Sequence, residues 1–116
     1  MADPTELLHG TLDTLILKTL AWGPRHGYAV ARWLEARGGG ADILRIEEGS
    51  LYPALFRLER RGWVAAEWGI SETKRRVKLY HLTDAGRARL AVETAQWQRF
   101  AQTVARILGA PIDQGA

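Results

Sequence analysis

The chain has 116 residues, room for one domain, with 47% hydrophobic and 25% charged residues, a globular composition that excludes collagen-like and low-complexity chains. It contains no cysteine, which excludes disulfides, thiolate metal sites and a cysteine nucleophile and fits a reducing cytoplasm. The net charge is only +3, no apolar run of about 18 residues is present to cross a membrane, and the opening MADPTELLHG lacks the basic flank of a secretory signal.

A first helix is expected from Thr5 or Thr11 to about Trp22, because Leu8, Leu12, Leu15, Ile16 and Leu20 recur at helical spacing. Gly23-Pro24 ends it. A second helix runs from about His26 to Arg37, with Tyr28, Val30, Ala31 and Leu34 inward and His26 as a cap or a structural hydrogen-bond partner. It leads into Gly38-Gly39-Gly40, a flexible connection, and then a short extended piece at Ile43–Ile46. The third helix is expected over Ser50–Arg61, with Ser50 as N-cap and Pro53 in the first turn, where its missing N–H costs little. Leu51, Ala54, Leu55 and Leu58 form its inner stripe; Ser50, Pro53, Arg57 and Arg60 or Arg61 lie opposite.

Val64–Gly69 and Arg76–Leu82 alternate as strands and form a hairpin of about 20 residues with the polar tip Ser71–Arg75. Trp63 and Trp68 are expected to pack the hairpin, Trp22 and Trp33 the helices. Thr83-Asp84 caps a final helix over about Asp84–Leu108, whose Leu90, Trp97, Phe100, Val104 and Ile107 make a heptad-like seam interrupted by Glu93. Residues 109–116 read as a flexible tail.

Basic charge is concentrated. Residues 57–89 carry nine Lys/Arg against four Asp/Glu, net +5, whereas residues 1–56 are net −2. Such a patch is the footprint of a phosphate-backbone binder, although a solvated face carries similar charges. The element order (helix, helix, short strand, helix, strand, basic turn, strand, helix) is that of a winged helix-turn-helix, mainly α with a small β-hairpin. In that motif the second helix presents its N-terminal residues to base edges in the major groove. Here that helix begins at Ser50, and the hairpin tip Lys74-Arg75-Arg76 is placed to meet phosphates.

Three stretches carry a resemblance: LLHGTLDTLILKTLAWGPRHGYAVARWLE (Leu7–Glu35), EEGSLYPALFRLERRGWVAAEW (Glu47–Trp68) and KRRVKLYHLTDAGRARL (Lys74–Leu90). The chain resembles the PadR family of bacterial transcriptional regulators from about Leu7 to Leu108, in the short form with a single C-terminal helix. It departs from the family pattern at Ala29, where an acidic residue often follows HGY, and in GWVAAEW. The resemblance implies a winged helix-turn-helix over residues 1–82 and a dimerisation helix over 83–108. It also implies a homodimer on an inverted-repeat operator, usually acting as a repressor. Ser50, Tyr52 and Pro53 would begin the recognition helix and Lys74, Arg75 and Arg76 the wing; Arg57 is the further DNA-binding candidate. Leu8, Leu12 and Leu15 of the first helix would pair across the dimer with Leu90, Trp97, Phe100, Val104 and Ile107, which so small a core cannot hide. Some members of this short form bind flat aromatic compounds between the final helices, which makes Trp97 and Phe100 candidate walls for a planar inducer.

Enzymatic chemistry finds no support. Ser50 lacks spaced His-Asp partners, Gly38-Gly39-Gly40 is not followed by Lys-Ser/Thr, and the adjacent Glu47-Glu48 cannot flank a substrate. His9 and His81 stand apart from metal-ligand spacing. No catalytic residue, metal or cofactor is expected; the partners are double-stranded DNA, a second copy and the inducer. The alternative is a winged-helix protein-interaction module without specific DNA binding, which has no reason to keep a basic wing tip.

Overall fold

The computed structural model describes residues 4–110, with the backbone alone for residues 4–9. Its elements follow as α1 (Pro4–Leu20), β1 (Arg25–His26), α2 (Gly27–Arg37), α3 (Glu48–Arg60), β2 (Val64–Ile70), β3 (Arg76–Leu82) and α4 (Asp84–Leu108). The strands form one antiparallel sheet in the order β1-β3-β2, and the hairpin register runs from Val64↔Leu82 to Ile70↔Arg76. This is the expected winged helix-turn-helix. Residues spaced at one helical face do form the core: Leu12, Ile16 and Leu20 of α1, joined by Leu17, which the spacing did not single out, meet Val30 and Leu34 of α2 and Leu51, Leu55 and Leu58 of α3, with Val64, Tyr80 and Leu82 closing from the sheet.

The third strand is not at Ile43–Ile46, which is turn and coil with Ile43 exposed. It is Arg25–His26, paired as Arg25↔Tyr80 and His26↔Leu79. Two residues carry no readable period; they become a strand because β3 offers them a free edge. His26 then caps α2, its Nδ1 accepting from the Ala29 N–H at 3.2 Å. Tyr28 turns outward, 60% exposed. The buried place beside it belongs to Gly27, where a Cβ would stand 2.6 Å from Cε1 of Tyr52.

The glycine run is a tethered helix end rather than a free connection. Gly39 and Gly40 adopt φ of +102° and +104°, values that favour glycine, and the Gly40 N–H donates to the Glu35 carbonyl at 2.7 Å. Buried Glu35 accepts from the Ile46 N–H at 2.7 Å and pairs with Arg32 at 2.8 Å. One carboxylate thereby holds the return of the chain against α2.

Helix α3 starts two residues before the expected cap. Glu47 is its N-cap residue and makes no side-chain capping bond, so Ser50 lies within the first turn. Pro53 is therefore the sixth helical residue, where its ring opposes the Gly49 carbonyl that it cannot satisfy.

Trp33 and Trp63 pack partly against the core, but Trp22 and Trp68 are exposed. Cations cover both faces, Lys18 at 5.7 Å from the Trp22 centroid and Arg76 at 4.4 Å from that of Trp68.

Helix α4 has the expected bounds. Thr83 Oγ1 accepts from the Gly86 N–H at 3.0 Å and donates to the Gly62 carbonyl at 2.7 Å. Its first turns rest on the core, and the remainder projects, with Val92, Trp97, Phe100, Ile107 and Leu108 exposed. The radius of gyration is 16.8 Å, against about 13 Å for a compact chain of this length. Gly109 caps the helix; the rest of the expected tail, 111–116, lies outside the described residues.

The dimerisation expectations need one correction. Leu12, 1% exposed, belongs to the core of its own chain and is not free to face a second copy. Leu15 and Leu90 are half-buried against that core, Val104 is half-buried, and the side chain of Leu8 lies outside the described residues.

Candidate nucleic-acid interface

With Leu51, Ala54, Leu55 and Leu58 inward, steps of about 100° per residue place Gly49, Pro53, Phe56 and Arg60 within roughly 40° of the direction opposite Leu51. These four form the outer ridge of α3. The expected contact residues fall partly beside it. Tyr52, 44% exposed, turns toward the α2 N-terminus, where its ring rests on Gly27. Ser50 is half-buried and Pro53 is exposed on the ridge.

Arg57 departs from its expected role. Its Nη2 donates to Asp13 Oδ1 at 2.8 Å, so the guanidinium ties α3 to α1 instead of facing outward. On the opposite flank Lys78 Nζ reaches Glu59 Oε1 at 3.2 Å and ties α3 to the sheet. Helix α3 is thus clamped on both sides by ion pairs.

The wing is a structured turn. The Ser71 N–H donates to the Arg75 carbonyl at 2.9 Å, the Lys74 N–H to the Ser71 carbonyl at 2.9 Å and the Arg75 N–H to Ser71 Oγ at 3.2 Å. Lys74 adopts φ of +61°, an uncommon conformation for a side-chain-bearing residue. Lys74, Arg75 and Arg76 are all exposed.

Between the α2 N-terminus, Tyr52 and the wing lies an open cleft of about 1150 Å³. Arg32, Arg75, Arg76 and Lys78 line it together with Tyr28, Tyr52 and Trp68. Cations alternating with flat rings suit a sugar–phosphate strand. Tyr80 also lines the cleft. Burial pushes its hydroxyl above the usual 10.0; Lys78 pulls the value down, and Glu59 and Tyr52 raise it further. The phenol therefore stays neutral at neutral pH and adds no negative charge.

Phe56 is the residue that sequence reasoning missed. It is 59% exposed, with the Arg60 guanidinium 5.7 Å from its centroid. It falls neither in the expected inner stripe of α3 nor on its expected outer face. Its signal was phase: five positions after Leu51 is about 140° round the helix.

A second groove, about 380 Å³, lies between α1 and α4. Leu15 and Thr14 line one side, Glu93, Trp97 and Phe100 the other. The rings of Trp97 and Phe100 are 6.0 Å apart and tilted by 48°. Arg89 holds Glu93 at 2.6 Å, which accounts for a carboxylate in the apolar seam. Among the described residues no cluster of three metal-ligating side chains occurs, and no helix is long and apolar enough to cross a membrane.

Residues 16–92 match the transcriptional regulator PadR-like family. The chain is 36% identical to a PadR family transcriptional regulator from Eggerthella lenta, covering 92% of this chain and 89% of that one at a TM-score of 0.73. A PadR-like transcriptional regulator from Bacillus cereus is 26% identical, with 91% and 99% covered and a TM-score of 0.77. A 37.1 kDa protein in transposon TN4556 of Streptomyces fradiae is 39% identical over 95 residues, which are 82% of this chain but 23% of that longer relative.

Proposed function

The chain belongs to the PadR-like family of transcriptional regulators, and from that membership we propose that it is a repressor that binds an inverted-repeat operator as a homodimer. The observation that carries the reading is the junction at Tyr52 and Gly27. It joins the first turns of α3 to the α2 N-terminus, and the basic wing lines the same cleft. The outer ridge of α3 enters the major groove, and Arg75 and Arg76 of the wing follow the flanking backbone. The apolar seam on the projecting half of α4 supports the two-fold partner.

Selection from a random duplex pool tests this reading. An enriched inverted repeat, and a reporter behind it that falls when the protein is expressed, are the expected results. A protein-interaction module would enrich nothing.

Replacing Lys74, Arg75 and Arg76 together by alanine should weaken binding to every duplex alike. The slope of log affinity against log salt should fall by about 0.9 for each phosphate no longer neutralised. An unchanged slope would remove the wing from the interface.

Release by a planar aromatic inducer rests on the groove beside Trp97 and Phe100. Planar aromatics should quench more tryptophan fluorescence in the parent than in Trp97→Phe. Equal quenching would leave the repressor without this control.

A further inference from the structure

The outer ridge of α3 is nearly devoid of hydrogen-bonding side chains. Of Gly49, Pro53, Phe56 and Arg60, only Arg60 carries any. The ridge is not apolar for the sake of the fold, since Phe56 is mostly exposed and the core stripe of α3 lies on the other side. Nor does packing require glycine at position 49, because a Cβ there would meet nothing within 4 Å. What glycine and proline do is keep the ridge low before Phe56, so that backbone and ring can approach a surface closely.

The neighbours of Phe56 indicate which surface. Arg60, exposed on the same ridge, sits over its ring, whereas Arg57 is held by Asp13 and Arg61 lies over Trp63. An aromatic ring with a guanidinium group over its face suits an apolar feature embedded in a polyanion. The major groove offers one such feature at each A·T pair, the thymine C5-methyl group.

Resting on the reading of the chain as an operator-binding regulator, we infer that Phe56 is a specificity-determining residue that packs its ring against a thymine methyl group in each half-site. The operator is thereby read at that position through a methyl contact rather than a donor–acceptor pair.

The test begins with the duplex enriched from the random pool. Each thymine is replaced in turn by deoxyuridine, which removes the methyl and keeps the base pair. The parent protein should bind about fourfold more weakly at one thymine per half-site, the worth of burying one aliphatic carbon. Phe56→Ala should bind the two duplexes equally, and Phe56→Leu should keep part of the discrimination. Thermal melting of both variants should match the parent, because the side chain is exposed. Discrimination that survives in Phe56→Ala, or its absence at every thymine in the parent, overturns the inference while leaving operator binding intact. A pool that yields no enriched sequence overturns the proposed function itself, and this inference with it.

Discussion

Aspartate at Val104 or Ile107 is expected to convert the protein to a monomer in light scattering and to lower operator affinity by about 10²–10⁴-fold, the gain that linking two binding events confers. Both positions lie on the projecting half of α4, and Ile107 is 67% exposed in the protomer. At Ile107 a carboxylate costs the isolated chain little. In a two-fold seam with Trp97, Phe100 and Leu108 it would have to shed its water without a partner. The variant should therefore keep its helical circular dichroism and its weak affinity for a single half-site while the linked pair disappears. A parent protein that is monomeric at micromolar concentration would sink the homodimer. A variant that remains dimeric would move the interface away from this end of α4.

Gly86→Ala should be the most damaging single methyl in the chain. In the interior of a helix alanine is ordinarily favoured over glycine by about 1 kcal/mol. Here the added carbon would collide with the carbonyl oxygen of Trp63. That carbonyl also accepts from the Thr83 N–H at 3.1 Å, so neither partner can yield without breaking the α4 cap. The helix start must lift off the corner between α3 and β2. Forced overpacking of this kind costs about 3 kcal/mol, which for a domain of this size lowers Tm by roughly 12 °C or more. Gly49→Ala is the control, because open space surrounds its Cβ position; it should melt at or slightly above the parent. If Gly86→Ala melts with it, the close approach of α4 to Trp63 is wrong.

Sequence by itself determined those features that depend on interactions within a turn or along one strand. The bounds of α4 followed from the Thr83-Asp84 cap and the heptad-like apolar seam after it. The hairpin followed from alternation on both sides of Ser71–Arg75, and His26, expected as a cap or a structural hydrogen-bond partner, is the cap. The buried faces of α1 and α3 followed from spacing, because a period repeats within the chain that carries it. The same stretches carried the family resemblance and the basic wing.

Tertiary structure alone decided what each excess residue does. Tyr28, Phe56, Trp22 and Trp68 are as apolar as their buried neighbours, yet they face outward. Periodicity reports that a stripe exists, but the partner that packs against it determines where the stripe ends. Gly27 takes the inward place near Tyr28 only because Tyr52 arrives from another helix. Arg57 looked like a free cation until α1 brought Asp13 to it across 44 positions. Arg25–His26 became a strand because β3 had an unpaired edge, and Leu12 went to the protomer's core because α2 and α3 closed over α1. Each outcome depends on a contact between segments far apart in the chain. Such contacts leave no trace in local spacing, because their energy exists only once the chain has folded.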